Sequence, residues 1–262
     1  MTKFCLMSDV HLAFGPLAVR NTENADCLIL AGDIAEFCEL HPKSELSYNK
    51  FDDFFSTVSS EFKHVVYIAG NHEYYGFTIE HGKQHINNYL ESMNIGNIKF
   101  LNNDSVDIDG VMVHGATNWT NFNNGDWSAM ESARLRMNDY RYIKNSDDEY
   151  LTPTIALQHH LESMNFLRSA VSDNKRCVVV THHAPLYNCI DSGHSSGDLD
   201  HAYASDLGNF ILDNNNIAAW CFGHTHGRVD FMCGNTRIMS NCRGYHRYEK
   251  ISMSFEPKYF EV

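Results

Sequence analysis

Five short polar motifs punctuate this chain, each at the end of an apolar run of strand length. In order they are Asp9-Val10-His11, Gly32-Asp33, Gly70-Asn71-His72-Glu73, His182-His183 and Gly223-His224-Thr225-His226. The preceding runs, near Lys3–Val10, Cys27–Ala31, Val65–Ala69, Cys177–Val180 and Ala218–Phe222, are too short for helices and read as buried strands. A chain that places Asp, Asn and His after five strands must gather those strand ends on one side of the fold. Open α/β sheets do this, collecting ligands at the carboxyl ends of their strands.

The segments between the motifs fit such sheets. Phe51, Phe54, Phe55, Val58 and Phe62 recur at helical spacing, and residues 78 to 94 read as a second helix. Thr152-Pro153 opens a third with a capping residue and a proline in the first turn; Leu157, Leu161, Met164, Leu167 and Val171 are its expected apolar face. Phe100 to His114 reads as two strands around Asp109-Gly110, residues 228 to 241 as a hairpin turning at Gly234-Asn235, and Arg247 to Phe260 as further strand. Gly193 and Gly197 mark a loop. The expected fold is α/β, a four-layer α/β/β/α sandwich of two mixed sheets flanked by helices. Residues 1–262 are expected to form a single domain, with 118–150, polar and aromatic with a short helical stretch near 127 to 143, as an insertion over the active site.

Charge excludes one class of function. With 20 basic and 33 acidic residues the net charge is −13, and no basic run offers the footprint that long nucleic acid requires. No apolar run approaches the roughly 20 residues of a membrane helix. The first residues read as a strand rather than a signal peptide. The eight cysteines include no C-x-x-C pair, so reduced thiols and a cytoplasmic location are expected.

The motif spacings suit metals. Residues two apart in extended chain project to the same side, so Asp9 and His11 can hold one cation, while His224 and His226 can reach two neighbouring ones. Gly32 lets the backbone approach closely, and the Asp33 carboxylate can bridge two cations. Asn71 offers a neutral amide oxygen. His182 directly follows its apolar strand and is the favoured ligand of its pair; His183 is the alternative, otherwise a supporting or substrate-facing residue. Glu73 reads either as an orienting carboxylate or as a surface residue. A donor set of carboxylate, imidazole and amide without thiolate suits Mn²⁺, Fe or Zn²⁺, with Mn²⁺ favoured.

All five motifs, in this order, resemble the calcineurin-like metallophosphoesterase family over nearly the full chain. The resemblance implies one metal at Asp9, His11, Asp33 and His226, a second at Asp33, Asn71, His182 and His224, Asp33 as the bridge, and His72 as the catalytic histidine. It implies hydrolysis of a phosphoester by a metal-bridging hydroxide, the cations lying about 3.5–4 Å apart. Ile34-Ala35-Glu36-Phe37-Cys38 after Asp33 lacks the Asp-Arg pair of the family's protein phosphatases. The pattern is most similar to small prokaryotic or phage members near the class III cyclic-nucleotide phosphodiesterases. Gly115 to Thr120, Met137 to Arg141 and Ser240 to Tyr245 share in that resemblance.

A phosphodiesterase acting on a small nucleotide-like substrate is therefore expected, without a membrane or long nucleic acid as partner. The alternatives are a phosphomonoesterase, a short-substrate nuclease, or a non-catalytic protein-binding scaffold. Arg141, Asn118 and His183 are the candidate substrate contacts. Arg243 is either a phosphate clamp or a structural ion pair. Trp119, Trp127 and Tyr140 are either stacking or core residues. His194 is a candidate for the mouth of the site.

Overall fold

The structure is a computed structural model that describes residues 1–42, 49–190 and 197–262. Thirteen strands are present among them: β1 (Lys3–Met7), β2 (Cys27–Ala31), β3 (His64–Ile68), β4 (Ile98–Leu101), β5 (Asp104–Ile108), β6 (Val111–Ala116), β7 (Lys144–Ser146), β8 (Glu149–Tyr150), β9 (Cys177–Thr181), β10 (Ile217–Phe222), β11 (Asp230–Cys233), β12 (Thr236–Ser240) and β13 (Lys258–Glu261). Two large mixed sheets result, ordered β13-β1-β2-β3-β4 and β11-β12-β10-β9-β6-β5, beside a small β7-β8 ribbon. The central strands run parallel, β1 with β2, β2 with β3, and β9 with both β6 and β10.

Alternation along the strands builds the layers. Phe4, Leu6, Ile29, Val66 and Ile68 of the first sheet meet Val113, Val178, Val180, Cys221 and Met239 of the second in a core between the sheets. Intervening residues turn outward. Cys5, Met7, Leu30 and Tyr67 pack on the helices Asp52–Glu61 and Ile79–Ser92 through Phe54, Phe55, Val58, Ile86 and Tyr89. Val179, Trp220 and Ile238 pack on Met164, Leu167 and Ile211. The expected four layers are thus formed. All eight cysteines are free thiols, five of them buried in strands or beside them as small hydrophobes: Cys5, Cys27, Cys177, Cys221 and Cys242.

Two details differ from the sequence reading. The helix Pro153–Ala170 buries Ala156, His160, Ser163, Met164 and Leu167, and leaves Leu161 exposed. Its buried stripe includes small and polar residues that a search for large apolar side chains passes over. Residues 247 to 257 are not strand: a 3-10 turn, Lys250–Ser254, precedes β13, which pairs antiparallel with β1. The expected loop at Gly193, with His194, lies outside the described residues. No helix among the described residues is long and apolar enough to cross a membrane.

Candidate metal centre

The carboxyl ends of β1, β2, β3, β9 and β10 converge, and each motif follows one of them. Asp9, His11, Asp33, His224 and His226 all have φ between +45° and +67°, so the chain turns sharply at five of the seven candidate ligands. For residues with a Cβ that region costs energy, and it persists where the surroundings over-determine it. Here the surroundings are reciprocal backbone bonds. Asp9 N–H donates to the Gly32 carbonyl and His11 N–H to the Asp33 carbonyl, while His224 N–H donates to Asp9 Oδ1 at 2.8 Å.

Two donor clusters share one carboxylate. One atom each from Asp9, His11, Asp33 and His226 lie within 4.8 Å of one another, as do atoms of Asp33, His182 and His224. His11 Nε2 is 3.1 Å from His226 Nε2 and 3.6 Å from Asp33 Oδ2. On the other side, Asn71 Oδ1 lies 3.1 Å from both His182 Nε2 and His224 Nδ1. Asp33, Asn71, His182 and His224 thereby form the second group that the resemblance implied.

The chemistry of this donor set fits divalent cations. His182 Nδ1 faces the Ala31 carbonyl at 3.0 Å and must donate to it. Were the ring neutral, its Nε2 lone pair would face two oxygens, Asn71 Oδ1 and Asp33 Oδ1, the latter at 3.4 Å. Acceptors facing acceptors call for a positive charge between them. The same demand appears in the titration of the site: burial opposes protonation of His182, yet the Asp33 carboxylate overrides it and lifts its pKa to about 10. Burial raises the pKa of Asp33 in turn, but the histidines around it, His182 and His72 first, hold it well below the usual carboxylate range. Burial keeps His11 and His224 well below the ordinary imidazole value, hence neutral and able to offer a lone pair.

Supporting groups complete the centre. Glu73, fully buried, accepts from the amides of Asp33, Ile34 and Gly70 and from the Tyr67 hydroxyl. It orients the Asp33 and Asn71 loops. His226 Nδ1 donates to Glu249 Oε2 at 2.8 Å, which aims Nε2 at the first cluster. Between the paired histidines the structure brings His182 to the shared carboxylate. The His183 ring stands 4.3 Å from that of His224 and 5.1 Å from Trp119, with Nδ1 toward the Thr117 carbonyl, and burial drops its pKa to about 3.

A cleft of about 1070 Å³ opens over the centre, lined by Asp33, Asn71, His72, Tyr75, Arg136, Asp139, Tyr203, His224, His226 and Tyr245 among others. His72 borders it, its ring stacked on Tyr75 at 4.1 Å and its Nε2 3.4 Å from the Tyr245 hydroxyl. None of the three candidate substrate contacts lines this cleft. Arg141 is turned outward, its guanidinium donating to the Leu135 carbonyl at 2.7 Å. Arg136, at the end of the preceding helix, takes the wall instead. Asn118 is buried at the end of β6 with φ +48°, and His183 packs behind His224. Arg243 donates to the carbonyls of Val10, Gly15 and Pro16 and so braces the first loop, without an acidic partner among the described residues. Trp119 is buried and Trp127 exposed.

Sequence reading missed Tyr75, Asp139, Tyr245 and Glu249. Tyr75 lies two residues past the third motif, a proximity that could have marked it. Asp139 and Tyr245 lie in the segments Met137 to Arg141 and Ser240 to Tyr245 that share in the family resemblance, which marked them without giving either a role; nothing in the order of the chain points to Glu249.

A sequence model of the calcineurin-like phosphoesterase family matches residues 2–228. Uncharacterized protein L509 of Acanthamoeba polyphaga mimivirus is 29% identical over 215 residues, covering 75% of each chain. Among solved structures, the phosphopantetheinyl hydrolase PptH from Mycobacterium tuberculosis superposes with a TM-score of 0.68 at 15% identity, over 95% of this chain and 93% of that one. TT1561 of Thermus thermophilus superposes with a TM-score of 0.54 at 11% identity, over 99% and 98%. At these identities the two likenesses speak to the fold.

Proposed function

We propose that this chain, which belongs to the calcineurin-like phosphoesterase family, hydrolyses a phosphodiester of a small nucleotide-like substrate. The observation that carries the reading is the pair of donor clusters joined at Asp33, open to one cleft beside His72. The family is dinuclear metal-dependent, and Asp9, His11, Asp33 and His226 would hold one cation, with Asp33, Asn71, His182 and His224 holding the other. We propose Mn²⁺ for both, since carboxylate, amide and imidazole donors suit it. When bound, such cations neutralise phosphoryl oxygens and make water a nucleophile at neutral pH.

The protein's own groups do the rest. Tyr75 stacks on His72 and fixes the plane of its ring, and the His72 amide donates to Asp33 Oδ1 at 2.9 Å. The imidazole thus stands where it can hold a proton for a departing ester oxygen. Arg136 brings a guanidinium to the cleft wall, suited to a phosphoryl oxygen, and Tyr203 and Tyr245 offer ring surface to an organic substituent. A cleft of this size has room for groups on both sides of a phosphorus atom, which supports a diester over a bare monoester. No long nucleic acid or membrane is proposed as a partner.

The test compares Mn²⁺-dependent hydrolysis of bis-p-nitrophenyl phosphate and p-nitrophenyl phosphate, with Asp33→Asn as control. Diester preference, lost in the control, is the expected result. Monoester preference would replace this reading with a phosphatase. No turnover of either by folded, Mn²⁺-loaded protein would count against catalysis of this kind.

A further inference from the structure

We infer that Asp139 is a positioning residue for a metal ligand and the catalytic histidine together, which makes the 118–150 segment part of the reaction machinery. The inference rests on the dinuclear phosphoesterase reading and extends it to a residue outside the five strand-end motifs.

Asp139 begins the short helical turn Asp139–Tyr142, lines the cleft and is 1% exposed. Its Oδ1 accepts two hydrogen bonds, from Asn71 Nδ2 at 2.9 Å and from the Tyr75 hydroxyl at 2.7 Å. Each bond acts on a different part of the centre.

The first sets an amide orientation. The Asn71 side chain ends in one oxygen and one NH₂ group of nearly the same shape. Flipped, it would turn its oxygen against the Asp139 carboxylate and its NH₂ toward the second cluster, where a cation needs an oxygen. Asp139 selects the other orientation, with Oδ1 3.1 Å from His182 Nε2 and from His224 Nδ1. The second bond holds a ring. Tyr75 is stacked on His72 at 4.1 Å with 22° between the planes, and its hydroxyl is anchored at Asp139. Burying a carboxylate to receive two neutral donors is a costly way to join two loops. It is an effective way to fix an amide and an imidazole at once. Groups one step behind a metal ligand commonly carry 10–100-fold in metal affinity.

The experiment measures Mn²⁺ binding to the metal-free protein by calorimetry, and kcat and KM for bis-p-nitrophenyl phosphate. Asp139→Leu keeps the branched outline of the side chain and removes the acceptor. It is expected to weaken Mn²⁺ binding by roughly 10–100-fold and to lower kcat with little change in KM. Asp139→Asn restores an acceptor oxygen and is expected to recover most of both. Tyr75→Phe keeps the ring and removes the tether; kcat is expected to fall severalfold at wild-type Mn²⁺ affinity. This separation of metal and turnover effects is not what a merely structural contact would give. Wild-type Mn²⁺ affinity in Asp139→Leu would overturn the metal arm. Undiminished kcat in Tyr75→Phe would overturn the histidine arm, and decides the matter if Asp139→Leu does not fold. Wild-type protein that binds two Mn²⁺ yet cleaves no diester would sink the proposed substrate while the Asp139 effect on binding is still read.

Discussion

Glu73 Oε2 accepts the amide hydrogen of Asp33 at 2.8 Å and, on the same oxygen, that of Gly70 at 2.7 Å. One buried carboxylate therefore ties the loop of the bridging ligand to the loop of Asn71. Its other oxygen takes the Ile34 amide at 2.6 Å and the Tyr67 hydroxyl at 2.8 Å. Glu73→Gln sets an NH₂ group against backbone donors whichever way the amide turns. The expected cost is about 2–4 kcal/mol of stability, since buried polar groups lose partners. Urea unfolding of the metal-free protein measures it; an unchanged midpoint would show that the tie is dispensable.

Gly32 has φ +86° and sits beneath the second cluster. A Cβ there would fall on His182 Nδ1 and come within 2.7 Å of the Gly70 nitrogen. Gly32→Ala is expected to displace the His182 ring from the Ala31 carbonyl and abolish binding at one of two Mn²⁺ sites. Metal content after dialysis gives the answer: about one equivalent is expected, and two would contradict the clash.

His72 belongs to neither donor cluster. His72→Ala is therefore expected to keep both Mn²⁺ ions while kcat falls about 10²–10⁴-fold, the usual worth of a placed proton donor. Loss of metal in this variant would assign His72 to the ligand set, and unchanged kcat would remove it from the reaction.

His160 gives the fold a pH dependence independent of the metals. It is buried in the helix Pro153–Ala170 with Nδ1 on the Trp119 carbonyl. Burial lowers its pKa to about 4, against the pull of that carbonyl. An unfolded imidazole titrates near ~6.5, so between these values the unfolded chain holds the extra proton. The stabilisation is complete above pH ~6.5 and is lost as pH falls toward 4, by about 3 kcal/mol at roughly 1.4 kcal/mol per unit. His160→Gln should be less stable at pH 7 and lose less between pH 7 and 4.5. Equal losses in urea unfolding at the two pH values would refute the assignment.

Much of this molecule is written locally. Strand identity follows from short β-rich runs such as Cys177–Thr181, all five residues of which are buried. Their ends carry donor residue types, so the seven candidate ligands could be listed from the order of residues, whereas the role expected of His72 came from the family resemblance. Helices with strong apolar periodicity, such as Asp52–Glu61, were equally legible. The helix Pro153–Ala170 was legible in position but not in face, because Ala156, His160 and Ser163 do not look like core.

What the sequence by itself determined is the central strands and the donor residues at their ends, because alternation and donor type are properties of neighbouring residues. Tertiary structure alone decided which side chains stand behind and above the donor clusters. Asp139 reaches Asn71 across 68 positions, and Glu249 reaches His226 across 23. It also decided that Arg136 rather than Arg141 faces the cleft, since a short turn fixes which side each arginine takes. Such partnerships depend on where packed layers bring distant loops, and no local pattern of residues records that.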